Sequence, residues 1–238
     1  MDTIKEFLST ISHEIRTPLT SIKGFSKTML DSYENLSDEQ KKKFLKIIYE
    51  QSQRLINLIE NALTAANETE NNTNFIFKKT DINSILIKSI DLVKMNYKDM
   101  SFETNLSKDL YSTLDWDKLQ QIFVNVLDNA SKYSINSNKV EIKTYNKENK
   151  NFVSIKNFGT TIKDEEKEKI FDKFYRIETY LTSKAQGSGL GLYIVKMLVE
   201  KMNGEIQVVS DESNNSVEFL ISFPIFAIEE FTKGAYNV

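Results

Sequence analysis

Apolar residues recur along residues 2–31 at Ile4, Leu8, Ile11, Ile15, Leu19, Ile22, Phe25 and Met29, at spacings of three and four. That spacing predicts a helix with one buried face. Residues 38–67 carry Phe44, Ile48, Gln51, Leu55, Leu58, Ala62 and Ala65 at alternating steps of four and three, a coiled-coil-like seam. Ser37 followed by Gln40 predicts a capping box that opens this second helix. Only a short turn, residues 31–36, separates the two patterns, so the helices form an antiparallel hairpin. One narrow hairpin cannot bury both stripes. Two hairpins paired as a dimeric four-helix bundle can, which makes this chain a homodimer by expectation.

The periodicity breaks at the polar stretch running from Asn67, and residues 68–73 are expected to be a linker. From residue 74 to 225 short strand patterns mix with helical ones. Strands are expected at 75–77, 100–104, 110–113, 139–146, 152–157, 205–210 and 216–223. Helices are expected from Asp81 to about Tyr97, from Asp115 to about Tyr133 and from Leu190 to Met202. This is an α+β layout, a mixed sheet covered by helices in an α/β sandwich. Residues 226–238 form a tail with no evident partner.

Composition narrows the chemistry. The chain of 238 residues has no cysteine and one histidine, which excludes disulfides, thiolate zinc sites, cysteine nucleophiles and histidine metal clusters. A net charge near −3 offers no basic field for nucleic acid. No apolar run approaches the ~20 residues of a membrane span, and the N-terminus has no signal-peptide pattern.

The lone histidine, His13, lies about 160° around the first helix from both Ile11 and Ile15, on the solvent side. A core histidine would sit on the stripe. Three of the seven glycines fall in Gly187-Ser188-Gly189-Leu190-Gly191-Leu192, directly before a helix. Backbone N–H groups and the helix dipole together can cradle phosphate there. Asn125, Asn129 and Lys132 share one helix face at i, i+4 and i+7. Amide oxygens are hard ligands suited to Mg²⁺, and a lysine meets phosphate charge. The strand Val153–Asn157 ends in a turn at Gly159, and Ile170-Phe171-Asp172-Lys173-Phe174-Tyr175-Arg176 supplies aromatics that read mostly as core.

In their order, from about residue 3 to 225, these segments resemble the core of the sensor histidine kinases of two-component systems. The family's histidine, asparagine, first glycine, phenylalanine and second glycine boxes follow one another at normal spacing. The resemblance implies a dimerisation and histidine phosphotransfer domain at 1–67 and a Bergerat-type ATP-binding domain at 74–225. It implies an ATP-dependent protein-histidine autokinase, a signal-transducing transferase and phosphoprotein, which passes the phosphoryl group to an aspartate of a response regulator and can also act as a phosphatase. By the same resemblance His13 is the phosphoacceptor, Glu14 its activating acid and Thr17 the residue that orients water for phosphatase action. Pro18 loosens the helix just beyond them. Asn125 and Asn129 match the Mg²⁺ ligands, Lys132 the ATP face and Tyr133 the adenine side. Arg176 and Lys184 belong to a mobile lid over residues 163–186, and Gly187, Gly189 and Gly191 form the phosphate turn. Such a chain would be cytoplasmic, alone or as the cytoplasmic part of a membrane-bound sensor.

The sequence departs from the family at its first glycine box. Asn157-Phe158-Gly159-Thr160-Thr161 stands where Asp-x-Gly-x-Gly is usual, so Asn157 would accept from adenine as a neutral group, without charge assistance. That departure supports an alternative, a non-catalytic dimeric signalling module with a degraded nucleotide site. A chaperone- or gyrase-like ATPase would need a catalytic glutamate where Asn125 stands.

Overall fold

The structure, a computed structural model, describes residues 2–66, 75–135, 137–177 and 189–225, with the side chains of residues 2–8, 10 and 66 left aside. The chain divides into two compact units, Met1–Thr73 and Asn74–Val238.

In the first unit, α1 (Asp2–Ser32) and α2 (Asp38–Ala66) form the expected antiparallel hairpin around a 3-10 turn at Tyr33–Asn35. The capping box closes reciprocally. The Gln40 amide donates to Ser37 Oγ at 3.2 Å, and the Ser37 amide to Gln40 Oε1 at 2.9 Å. The seam faces inward, with Leu58 and Ala65 buried and the Phe25 and Phe44 rings 5.2 Å apart. α1 continues through Pro18, which is buried. Lacking an N–H, Pro18 leaves the Glu14 carbonyl without its backbone donor four residues on. The stripe on α1 needs one correction. Leu19 is 52% exposed in the single chain, and Pro18 takes the inward place beside it.

The second unit is a five-stranded mixed sheet in the order β2-β4-β5-β7-β6, with a two-stranded β1-β3 ribbon beside it. The strands are β1 (Lys78–Asp81), β2 (Ser101–Leu106), β3 (Tyr111–Leu114), β4 (Lys139–Lys147), β5 (Lys150–Phe158), β6 (Glu205–Asp211) and β7 (Ser216–Pro224). β2 pairs parallel with β4, and every other pair is antiparallel. Three helices accompany the sheet: α3 (Ile82–Lys94), α4 (Trp116–Lys132) and α5 (Gly191–Lys201). The core lies between the layers, where Ile122, Phe123 and Leu127 of α4 and Ile194 and Leu198 of α5 are buried with Ile142, Ile155 and Ile221 of the sheet.

Asp115 explains two boundaries at once. One carboxylate oxygen caps α4 through the Lys118 amide at 3.1 Å, and the other accepts from the Ile76 amide at 2.8 Å. With that amide committed to a side chain, residues 75–77 are not the strand their alternation predicts, and pairing begins at Lys78. α3 stops at Lys94, short of the expected Tyr97. The segment expected to be a mobile lid opens with 3-10 turns at Asp164–Glu166 and Lys169–Phe171, pinned by the buried Ile170 and Phe171.

Candidate functional site

The hairpin presents His13 as the periodicity predicts, exposed on α1. Thr17, one turn on, is exposed on the same side, its Oγ1 3.4 Å from the His13 carbonyl. Glu14 faces elsewhere. Its Oε2 is 3.3 Å from Arg54 Nη2 on α2, and the two side chains are only 19% and 26% exposed. The acid beside the histidine is therefore braced from the opposite helix, an interaction that the sequence reading missed.

In the second unit, Asn125 donates through Nδ2 to the Gln121 carbonyl at 3.0 Å. This fixes the amide and aims its oxygen at the start of α5, where a methyl group added at Gly191 would lie 3.3 Å from Asn125 Oδ1. α5 begins there with no side-chain cap and no acidic residue in its first turn. Amides that no N-cap side chain takes, the positive end of a helix dipole and an amide oxygen thus meet at one place, a donor set that suits phosphate and a hard cation sharing its oxygens. Among the described residues no group of three His, Cys, Asp or Glu could hold a metal by itself.

Asn129 follows one turn along α4, half-exposed, its carbonyl accepting from the Tyr133 amide at 3.1 Å. Lys132 turns back on its own helix, Nζ 3.5 Å from Asp128 Oδ2. The other Asp128 oxygen accepts from the Tyr97 hydroxyl at 2.8 Å. Burial first, and then the Asp128 charge, push the Tyr97 phenol above its usual range. Tyr133 is also raised by burial, opposed by the Arg176 guanidinium.

At this site two glycines are required by space. A methyl group at Gly159 would lie 2.0 Å from the Tyr133 carbonyl oxygen. Gly189 has φ +68°, and a methyl group there would lie 2.7 Å from the Phe174 backbone. Phe174, itself at φ 66°, donates its amide to the Gly189 carbonyl at 3.0 Å. The phenylalanine and second glycine segments, 15 residues apart in sequence, therefore touch. Asn157 ends up 2% exposed at the end of β5. Lys184 and Gly187 lie outside the described residues.

Residues 3–71 match the model of the His Kinase A (phospho-acceptor) domain, and residues 114–226 match that of the histidine kinase-, DNA gyrase B- and HSP90-like ATPase. The chain is 35% identical over 230 residues to the sensor protein kinase WalK of Staphylococcus aureus, covering 95% of this chain and 55% of WalK. It is 30% identical to the sensor protein SrrB of the same species over 92% of this chain and 38% of SrrB. The chain belongs to the sensor histidine kinases.

This kinase core thus spans about half or less of the length of the relatives it matches. Among solved structures it is similar to the histidine kinase ThkA, crystallised in complex with the response regulator protein TrrA, with TM-score 0.67 and 27% identity over 93% of this chain and 61% of that one. No helix among the core's described residues is long and apolar enough to cross a membrane.

Proposed function

We propose that this chain is an ATP-dependent autokinase that phosphorylates His13 and passes the phosphoryl group to an aspartate of a response regulator. The observation that carries the reading is His13 itself, the single histidine, exposed on a helix inside the matched phospho-acceptor segment. Residues 1–67 act as the phosphotransfer domain, 68–73 as linker and 74–225 as the catalytic domain, and the chain works in the cytoplasm, alone or joined to a sensor.

A neutral imidazole nitrogen is a competent nucleophile near pH 7. It forms the N–P bond to the γ-phosphorus of ATP as the bond to the departing ADP oxygen breaks. The proton on the other ring nitrogen leaves the imidazolium for water, or for Glu14 once its carboxylate swings from Arg54 toward the histidine. The amides at the start of α5 take the phosphate oxygens. Asn125 and Asn129 would hold Mg²⁺, which supplies charge neutralisation along the phosphates when bound. Tyr133 and Asn157 line the base, with Gly159 allowing the turn to approach. Lys132 exchanges Asp128 for phosphate, and Arg176 and Lys184 close on the nucleotide beside the turn of Gly187, Gly189 and Gly191. In transfer, the N–P bond breaks, an aspartate oxygen takes the phosphoryl group and the imidazole is regenerated. Thr17, beside His13, orients water for the reverse signal.

A homodimer fits the first unit. Leu45, Tyr49, Ile56, Ile59 and Leu63 of α2 are 43–65% exposed at heptad-like spacing, a second stripe that a single hairpin leaves uncovered.

The test is incubation with γ-labelled ATP and Mg²⁺. Wild type should acquire acid-labile label, and His13→Ala should lose it while still binding nucleotide. Label that persists in His13→Ala removes the reading. Nucleotide binding by wild type with no label at all leaves the non-catalytic signalling module in its place.

A further inference from the structure

Asn157 sits at the end of β5, paired in register with Val140 and Val217, both buried. Its side chain is on the helix side of the sheet, opposite to Lys156 and Phe158. The β5 end and the α4 end are adjacent there: Ser134 Oγ lies 3.3 Å from the Phe158 carbonyl, and Gly159 packs against Tyr133. Three buried polar atoms in this region have no hydrogen-bond partner among the described residues. They are Asn157 Nδ2, Ser131 Oγ and Thr160 Oγ1. Buried donors are rarely left unmade in native proteins, so such a group marks the place of a ligand or water.

We infer that Asn157 relaxes the base specificity of the nucleotide pocket, so that it accepts 6-oxopurine nucleotides such as GTP as well as ATP. The inference rests on the reading of this unit as a nucleotide-binding domain and concerns what that pocket takes.

A carboxylate at this position can only accept hydrogen bonds. It pairs with the 6-amino group of adenine and repels the carbonyl O6 of guanine, which is how a pocket rejects the wrong base. An amide has one donor end and one acceptor end, exchanged by a half-turn about χ2. Facing adenine, Oδ1 accepts from the 6-amino group while Nδ2 donates to N1. Facing guanine, Nδ2 donates to O6 while Oδ1 accepts from N1–H. Both arrangements use two bonds, and both satisfy the orphaned amide. The amide carries no fixed charge that penalises a 6-oxo group. Pockets that discriminate by hydrogen bonding do so by leaving a buried group unpaired with the wrong ligand, and this amide can pair with either base.

The experiment is calorimetric titration of the full chain with the non-hydrolysable analogues AMP-PNP and GMP-PNP in Mg²⁺, on wild type, Asn157→Asp and Asn157→Ala. Wild type should bind the two within about tenfold of one another. Asn157→Asp should bind AMP-PNP more tightly and GMP-PNP more weakly, widening the ratio beyond about a hundredfold. Asn157→Ala should weaken both and keep the ratio close to that of wild type. A wild-type preference for AMP-PNP above about a hundredfold overturns the inference, and so does an unchanged ratio in a folded Asn157→Asp. If the aspartate variant does not fold, the wild-type and alanine ratios decide. Binding of neither analogue to wild type defeats the nucleotide reading itself, an outcome distinct from binding AMP-PNP alone.

Discussion

Gly159→Ala is a small change with a calculable effect. The added methyl group would lie 2.0 Å from the Tyr133 carbonyl oxygen, 2.9 Å from the Ile135 amide nitrogen and 3.1 Å from the Tyr133 carbonyl carbon, against the 3.4 Å at which ordinary contact begins. All three are backbone atoms, so no side chain can rotate away. Relief needs the last turn of α4 and the β5 turn to part, and Ser134 resists this through its bonds to the Lys139 and Phe158 carbonyls at 2.9 and 3.3 Å. Overpacking of a rigid site costs about 1–3 kcal/mol, and backbone against backbone belongs at the top of that range. With a urea slope of ~2 kcal/mol/M, the midpoint should fall by roughly 1.5 M. The chain has one tryptophan, Trp116 at the start of α4, so its fluorescence reports unfolding of the second unit specifically. Nucleotide affinity should fall as well, because the displaced backbone carries Tyr133. A midpoint within about 0.3 M of wild type, with unchanged nucleotide affinity, would refute the close approach of these two segments.

Three other outcomes are expected. Ile59→Asp should convert a dimer to a monomer in sedimentation equilibrium, because each copy loses ~2 kcal/mol of apolar burial and the pair weakens roughly a thousandfold. A dimer that survives this change would place the interface elsewhere. A double-mutant cycle of Glu14→Gln and Arg54→Gln, read by thermal unfolding, should give a coupling of about 0.5–1 kcal/mol, and additive singles would mean the pair contributes nothing. Asp211 accepts from the Ser213 amide and hydroxyl and from Asn214, which lowers its carboxyl to about 2. Its folded value lies below its unfolded one, so the turn's contribution is complete above the unfolded carboxylate range and disappears as pH falls toward 2. Titration of this carboxyl by NMR near pH 4 would contradict that.

Most of the architecture was legible because its signals are local. Helix spacing, the capping box at Ser37, the caps at Asp81 and Asp115 and the glycine cluster each act within a few residues, and the elements follow them closely. What the sequence hid depends on partners distant along the chain. Phe75–Phe77 alternates like a strand, yet its backbone is claimed by Asp115, 39 residues from Ile76. Arg54 had a recoverable signal: from the Phe25–Phe44 contact, eleven residues back along α1 and ten forward along α2 lead to Glu14 and Arg54. The second stripe on α2 was also readable at Leu45, Tyr49, Ile56, Ile59 and Leu63, but it lies beside the stronger seam and was hidden by it. The pair of Lys132 with Asp128, one turn earlier, was by contrast a local i,i+4 signal that the reading of the asparagine face passed over.

The bond between Phe174 and Gly189 has a consequence for engineering. It fastens both ends of the intervening stretch to the same point, with positive φ on each side. The two anchors tolerate little change, since a methyl group at Gly189 runs into the Phe174 backbone. A substitution at either one therefore acts on the phenylalanine and second glycine segments together, and a library built on this protein should leave the pair alone.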